Sequence, residues 1–196
     1  IATSEHPLTS MYMGETIPEE QLPLKVVGVS PCFRREVGSH GQSDLGIWRV
    51  HQFTKVEQIV IAKPEDSWEL HEELLQNCID LWNELGLHYE VVNICTGDMG
   101  TVAARKYDIE AWLPGASQYK EVVSCSNCTD YQANRLQIKY GQPGHSNQPI
   151  VHTLNSTAVA TSRALVAIME QNQLADGSVK IPEVLIPLMG GQATLE

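Results

Sequence analysis

No apolar run in this chain approaches the roughly 20 residues needed to cross a bilayer. No basic, apolar, small-residue leader opens it, so nothing in it indicates secretion. Basic residues are scarce: 13 Lys and Arg face 24 Asp and Glu, for a formal charge of −11. A general nucleic-acid binder concentrates Lys and Arg on phosphates, so the balance argues against that class while leaving room for a local basic pocket. Cysteines are few and odd in number (Cys32, Cys78, Cys95, Cys125 and Cys128), which is not a disulfide framework and suits a reducing, intracellular setting. Cys78 and Cys95 lie among apolar residues and are expected to be buried. There is no glycine-rich phosphate loop, no internal repeat, and no Ser-His-Asp or Cys-His triad from local signals. The chain opens on Ile1 rather than Met, which reads as part of a longer protein.

What is present suffices for one domain with a full core: 196 residues, 42% of them hydrophobic. Leu24–Val29 reads as a buried strand ending at Ser30-Pro31, Ile47–Phe53 as a second strand, and Val56–Ile61 as its continuation. Between them, 38–46 is polar and glycine-rich, a loop able to adapt around a ligand. Pro64-Glu65-Asp66 opens a helix over about 65–85, whose stripe His71, Leu74, Leu75, Cys78, Leu81, Trp82 and Leu85 faces a core. Tyr89–Cys95, Tyr107–Leu113, Tyr119–Ser124 and Leu136–Tyr140 read as strands, with Pro114-Gly115 as a turn. Val151–Leu154 is short and apolar, and Ala-rich 157–171 favours a helix. Many strands with two separated helices predict an α+β fold, mostly antiparallel.

The chemistry-bearing residues gather around 32–57. Arg34 and Glu36 share a face if the segment is extended, as a phosphate-binding fork with an acid or as a structural ion pair. Arg49, His51 and Phe53 alternate onto one face, with Trp48 and Val50 on the other; Phe53 is either a base-stacking ring or core. Glu57 and Glu121 are acids in strand-like surroundings, where a carboxylate needs a cation or metal. Arg163 in an Ala-rich helix needs an anion, either phosphate or a core carboxylate. Cys125 and Cys128 have the spacing of half a zinc site, but the second half is absent, and no zinc is expected.

Four blocks then carry a resemblance: ATSEHPL at 2–8, CFRREVGSHG through HQFTKVEQ at 32–58, YDIEAWLPGASQYKEVVSCSNCTDYQANR at 107–135, and LNSTAVATSRALVAIME at 154–170. In length and order the chain resembles the catalytic domain of seryl-tRNA synthetases, class II aminoacyl-tRNA synthetases, in their eukaryotic and archaeal form. The resemblance implies the class II fold, an antiparallel sheet of about six or seven strands flanked by helices. It implies that 1–196 is the adenylate-forming domain, without the first class motif and the N-terminal tRNA-binding helical arm. It implies ATP and Mg²⁺, L-serine, the acceptor end of tRNA(Ser), a homodimer in the full-length protein, no membrane, and a cytoplasmic location.

By the same resemblance, Arg34 bridges the ATP α-phosphate and the serine carboxylate, Glu36 lies near the adenine and phosphates, and Phe53 stacks on adenine opposite Arg163. Arg49 and Arg163 hold the distal phosphates, and Glu121 and Ser124 help coordinate Mg²⁺. Thr3, Glu57, Asn155 and Thr157 line the amino-acid pocket, with Glu57 on the serine ammonium. Gln42, Leu45 and Asn134 stand where the family often has arginine, which lowers the positive charge offered to tRNA. The alternative is a paralogue that activates an amino acid for another acceptor, or a nucleotide-binding noncatalytic homologue.

Overall fold

The computed structural model describes residues 1–36, 46–142, 144–145 and 147–196. The loop at 38–45, with Gln42 and Leu45, lies outside the described residues. In chain order the elements are α1 (Glu5–Ser10), β1 (Thr16–Ile17), β2 (Leu24–Phe33), β3 (Gln52–Ala62), α2 (Ser67–Glu84), β4 (Tyr89–Asn93), β5 (Arg105–Leu113) and β6 (Gln118–Asn127). Then follow α3 (Tyr131–Leu136), β7 (Lys139–Tyr140), β8 (His152–Ala160), α4 (Thr161–Asn172), β9 (Val179–Lys180) and β10 (Thr194–Leu195).

Six strands form one antiparallel sheet in the order β2-β3-β8-β6-β5-β4. Helices α2 and α4 pack on it through a core that joins Leu70, Leu74, Cys78 and Trp82 to Val60, Ile109, Val123, Leu154, Ala164 and Ala167. Strand alternation decides which side chains reach that layer. Gln58 donates to Leu74 O and Cys78 Sγ, Ser156 meets Cys78 at 3.3 Å, and the ring of His71 meets Cys125 O at 3.1 Å. The intervening residues Glu57, Ser124, Asn155 and Thr157 therefore face the other side of the sheet. The predicted helix over 65–85 and its core stripe, Trp82 included, are present, as are the class II α+β fold and its antiparallel sheet.

Several expectations are corrected. β2 is a sheet edge that runs through Pro31 to Phe33, with Val27, Val29 and Phe33 exposed rather than buried. An edge tolerates proline because the missing N–H faces no partner strand. Ile47–His51 is not strand: the β2–β3 ladder ends at Phe33–Gln52, and Trp48 instead turns into the core. Leu136–Tyr140 is the end of α3 followed by the short β7, separated by Gln137 in the left-handed region. Residues 157–160 are strand, because Thr157 and Ala160 pair with Glu57 and Lys55 of β3, and this ladder overrides the helical preference of the alanines. Cys95 is exposed, since β4 stops at Asn93 and Cys95 O closes a turn with Asp98 N.

Candidate functional site

The sheet face opposite α2 carries a polar cleft, and every residue expected to meet nucleotide, amino acid or metal lines it. From β3, alternation delivers Phe53, Lys55 and Glu57. From β8 come Asn155 and Thr157, from β6 Glu121 and Ser124, and from the first turn of α4 Arg163. Arg34 and Glu36 enter beyond the end of β2, and Thr3 and Glu5 from the chain entering α1.

Two β-bulges make this convergence possible. In β6, Glu121 pairs with Glu110 and Val123 with Ile109, so Val122 is extra. Residues three apart in a regular strand point to opposite faces; the extra residue lets Glu121 and Ser124 share the cleft. In β8, Glu57 pairs with Thr157 and Val56 with Val159, so Ala158 is extra, and both Thr157 and Ala160 reach the cleft.

The guanidinium groups are held in defined places. Arg34 Nε donates to Ala2 O at 3.2 Å, and its guanidinium lies 5.2 Å from the centre of the Phe53 ring. Arg49 Nη1 is 2.9 Å from Glu36 Oε2. Arg163 Nη1 donates to Glu121 O at 2.7 Å and to Oε1 at 3.2 Å, while its guanidinium lies 5.2 Å from the Trp48 ring centre. Glu36 has φ 49°, so it reaches the cleft by a left-handed turn and not by extended alternation with Arg34. Arg49, Phe53, Trp48 and Val50 all line the cleft whereas His51 lies outside it with Phe33 and Arg35, so the expected alternation over 48–53 is corrected; the segment before Gln52 is a bend, not a strand.

Glu57 is the deepest acid in the cleft, 2% exposed. Its Oε2 lies 2.5 Å from Lys55 Nζ and accepts from Thr157 Oγ1 at 3.2 Å. Burial raises its pKa, Lys55 opposes that, and Glu5 adds to it. Glu5 Oε1 accepts from Gln132 Nε2 at 2.6 Å and Asn155 Nδ2 at 3.2 Å, which ties α1 to α3 and β8. The sequence reading missed Lys55 and Glu5. Each stands two residues from a chosen one, Glu57 and Thr3, and in a strand that spacing alone puts Lys55 on the face of Glu57.

Among the described residues no group of three or more His, Cys, Asp or Glu side chains could hold a metal ion by itself. Glu121 and Ser124 supply one carboxylate and one hydroxyl, hard oxygen donors that suit Mg²⁺ only together with oxygens from a bound phosphate chain. Cys125 and Cys128 are buried; Cys125 Sγ meets His71 O at 3.8 Å, Cys128 Sγ meets Asn155 Nδ2 at 3.4 Å, and burial pushes the Cys128 thiol up to about 12. Asn134 lies away from the cleft on α3 and donates to Asp130 Oδ2 at 2.6 Å.

The pattern of the tRNA synthetase class II core domain (G, H, P, S and T) matches residues 1–172. The serine–tRNA ligase of Methanocella arvoryzae is 62% identical over 97% of this chain, which spans 45% of that relative, a little under half its length. The crystal structure of seryl-tRNA synthetase from Pyrococcus horikoshii complexed with ATP superposes with a TM-score of 0.95 at 55% identity, over 99% of this chain and 43% of that one. The cytoplasmic serine–tRNA ligase of Naegleria fowleri in complex with AMP gives a TM-score of 0.94 at 48% identity, over 100% of this chain and 46% of that one. With its antiparallel sheet and arginine-lined cleft, the chain belongs to the class II tRNA synthetase core domains, as a seryl-tRNA synthetase catalytic domain.

Proposed function

We propose that residues 1–196 form the adenylate-forming domain of a serine–tRNA ligase. It activates L-serine with ATP, releasing pyrophosphate, and passes the seryl group to the 3′-terminal adenosine of tRNA(Ser). The observation that carries this reading is that Arg34, Arg49 and Arg163 line the same cleft as the buried acid Glu57 and the hydroxyl of Thr157. A polyanion and an amino acid can thus sit side by side. The relatives named above support the reading, one of them described as complexed with ATP.

The first step joins a serine carboxylate oxygen to the ATP α-phosphorus as the bond to pyrophosphate breaks. No protein nucleophile is needed; alignment and charge stabilisation supply the acceleration. Arg34 lines the cleft just beyond the end of β2, and its fork can hold the attacking carboxylate and the α-phosphate together. Phe53 offers a ring face to adenine, with Arg34 in the structure already over that ring. Arg49 and Arg163 reach the distal phosphates by exchanging their Glu36 and Glu121 partners for phosphate oxygens. Glu57 binds the serine ammonium, and Thr3, Asn155 and Thr157 enclose the small hydroxymethyl group. Glu121 and Ser124 would hold Mg²⁺ on the phosphates, where the ion supplies charge neutralisation. In the second step the adenosine hydroxyl displaces AMP from the carbonyl.

The proposal includes a homodimer in the full-length protein, an assembly that would cover the exposed Val27, Val29 and Phe33 of edge strand β2. It also includes a cytoplasmic location; no helix among the described residues is long and apolar enough to cross a membrane.

The test is ATP–pyrophosphate exchange by the full-length protein across a panel of amino acids. Exchange that depends on serine, and that falls by about 100-fold or more in Arg34→Ala, is the expected result. Exchange with another amino acid in place of serine, or undiminished exchange in Arg34→Ala, overturns it. Charging of tRNA(Ser) by the same protein checks the second step.

A further inference from the structure

An amino acid at neutral pH presents an ammonium, so its partner in the cleft has to be an anion. Glu57 is badly placed to remain one: it is 2% exposed, and a carboxyl out of water tends to take a proton. Two residues earlier on the same face of β3, Lys55 is itself only 6% exposed and sets Nζ 2.5 Å from Glu57 Oε2. We propose that Lys55 is a positioning residue for amino-acid recognition, its buried ammonium holding Glu57 as a carboxylate ready for the substrate amine. This rests on the reading of the cleft as a serine-activating site.

The surroundings of Glu57 single out Lys55. From α1 comes Glu5, whose charge opposes ionisation of Glu57. From α2 comes Cys78, a thiol pushed up to about 11 and so uncharged at neutral pH. From β8 comes the neutral Thr157, and across β2 the residue paired with Glu57 is Gly28. Arg34 lines the same cleft but spends its contacts on Ala2 O and the Phe53 ring. Among the described residues Lys55 is thus the cation in contact with Glu57. Both Lys55 and Thr157 meet Oε2, which leaves Oε1 for a ligand. A buried ion pair is a poor way to stabilise a sheet, since apolar side chains of similar volume do as well or better. Its place on the wall of the cleft instead of in the helix-packed core fits a binding role.

The experiment measures serine and ATP KM by pyrophosphate exchange in the full-length protein, from about pH 6 to about pH 8, below the range in which lysine titrates. Wild type is compared with K55M, K55Q, K55R and the double variant K55M/E57Q. In K55M the serine KM rises at neutral pH, by about tenfold for each unit that the Glu57 pKa lies above the assay pH, and recovers as pH increases. ATP KM stays nearly unchanged, since the titrating carboxylate is assigned to the substrate amine and not to ATP. K55Q gives the same slope should K55M fail to fold. K55R keeps the wild-type profile, and K55M/E57Q binds serine poorly at every pH, because the titrating group is gone. A serine KM in K55M and K55Q that does not vary with pH, an equal rise in ATP KM, or a slope that survives in the double variant overturns the assignment. These outcomes leave the proposed function standing if wild type shows serine-dependent exchange; absence of that exchange in wild type removes both.

Discussion

At the floor of the cleft a hydroxyl and a carboxylate sit side by side, Thr157 Oγ1 donating to Glu57 Oε2 at 3.2 Å. In Thr157→Ala that donor is lost while the backbone pairing of Thr157 with Glu57 is kept. A hydrogen bond to a charged group is worth about 1.5–3 kcal/mol, so kcat/KM for serine is expected to fall by about 10- to 100-fold with ATP KM nearly unchanged. Discrimination against alanine should fall too, because a site that satisfies a substrate hydroxyl rejects the analogue lacking it. Steady-state exchange kinetics check this; equal losses for serine and ATP would remove Thr157 from the pocket. The site residues with unusual chemistry for their surroundings, such as Glu57 in a strand and Arg163 among alanines, were visible in the sequence. The two-residue spacing puts Lys55 on the face of Glu57, but its burial was not legible, because a lysine in a strand normally marks a solvated face.

Among the elements, α1 depends on the one glycine in β2. A Cβ at Gly28 would lie 2.7 Å from Leu8 Cδ1 and 3.0 Å from Ser4 Oγ. Leu8 ends in a flexible methyl that can move; Ser4 stands at the start of α1, with its Cβ only 3.1 Å away. Gly28→Ala therefore requires Ser4, at the start of α1, to give by a few tenths of an ångström, and the adjoining Thr3 and Glu5 shift with it. The expected result is a loss of about 1–3 kcal/mol in stability by denaturant unfolding together with a raised serine KM. Unchanged values of both would show that α1 repacks without cost.

Element type was legible where period and punctuation agreed. The helix α2 announces itself by a three-and-four stripe ending at Gly86, and the β5–β6 hairpin by Pro114-Gly115. Failures fell where tertiary pairing overrides local preference. The alanines at 158 and 160 favour helix, yet they lie in β8, held there by the pairing of Thr157, Val159 and Ala160 with Glu57, Val56 and Lys55 of β3. Residues 47–51 alternate as a strand would, yet no partner strand continues past Phe33, and Trp48 is drawn into the core. The two bulges leave no mark that one sequence can show, although they decide which side chains share the cleft.

For the whole molecule, the helix layer and the catalytic sheet are joined by a buried histidine, and that joint sets how stability responds to acid. His71 of α2 is fully buried, its ring stacks on Tyr107 at 5.2 Å, and its Nε2 donates to Cys125 O of β6 at 3.1 Å. Nδ1 is buried with no hydrogen-bond partner among the described residues. Burial holds the imidazole below its ordinary pKa, the bond to Cys125 only partly opposing it, so the native protein keeps it neutral. In the unfolded chain the ring takes a proton near about pH 6.5. Below that pH the unfolded state binds a proton that the native state resists. Stability is therefore complete above about pH 6.5 and declines as pH falls, at up to about 1.4 kcal/mol per unit until the native pKa is reached. His152, also lowered by burial, adds a contribution of the same sign. His71→Phe keeps a ring against Tyr107, loses the bond to Cys125 O at a cost of about 1 kcal/mol, and removes the titrating group. Unfolding free energies measured at about pH 7.5 and about pH 5.5 should then differ less in the variant than in wild type, with the His152 contribution remaining. An unchanged difference would mean that His71 takes up its proton equally in the folded and unfolded states, so that burial between helix layer and sheet does not hold its pKa down.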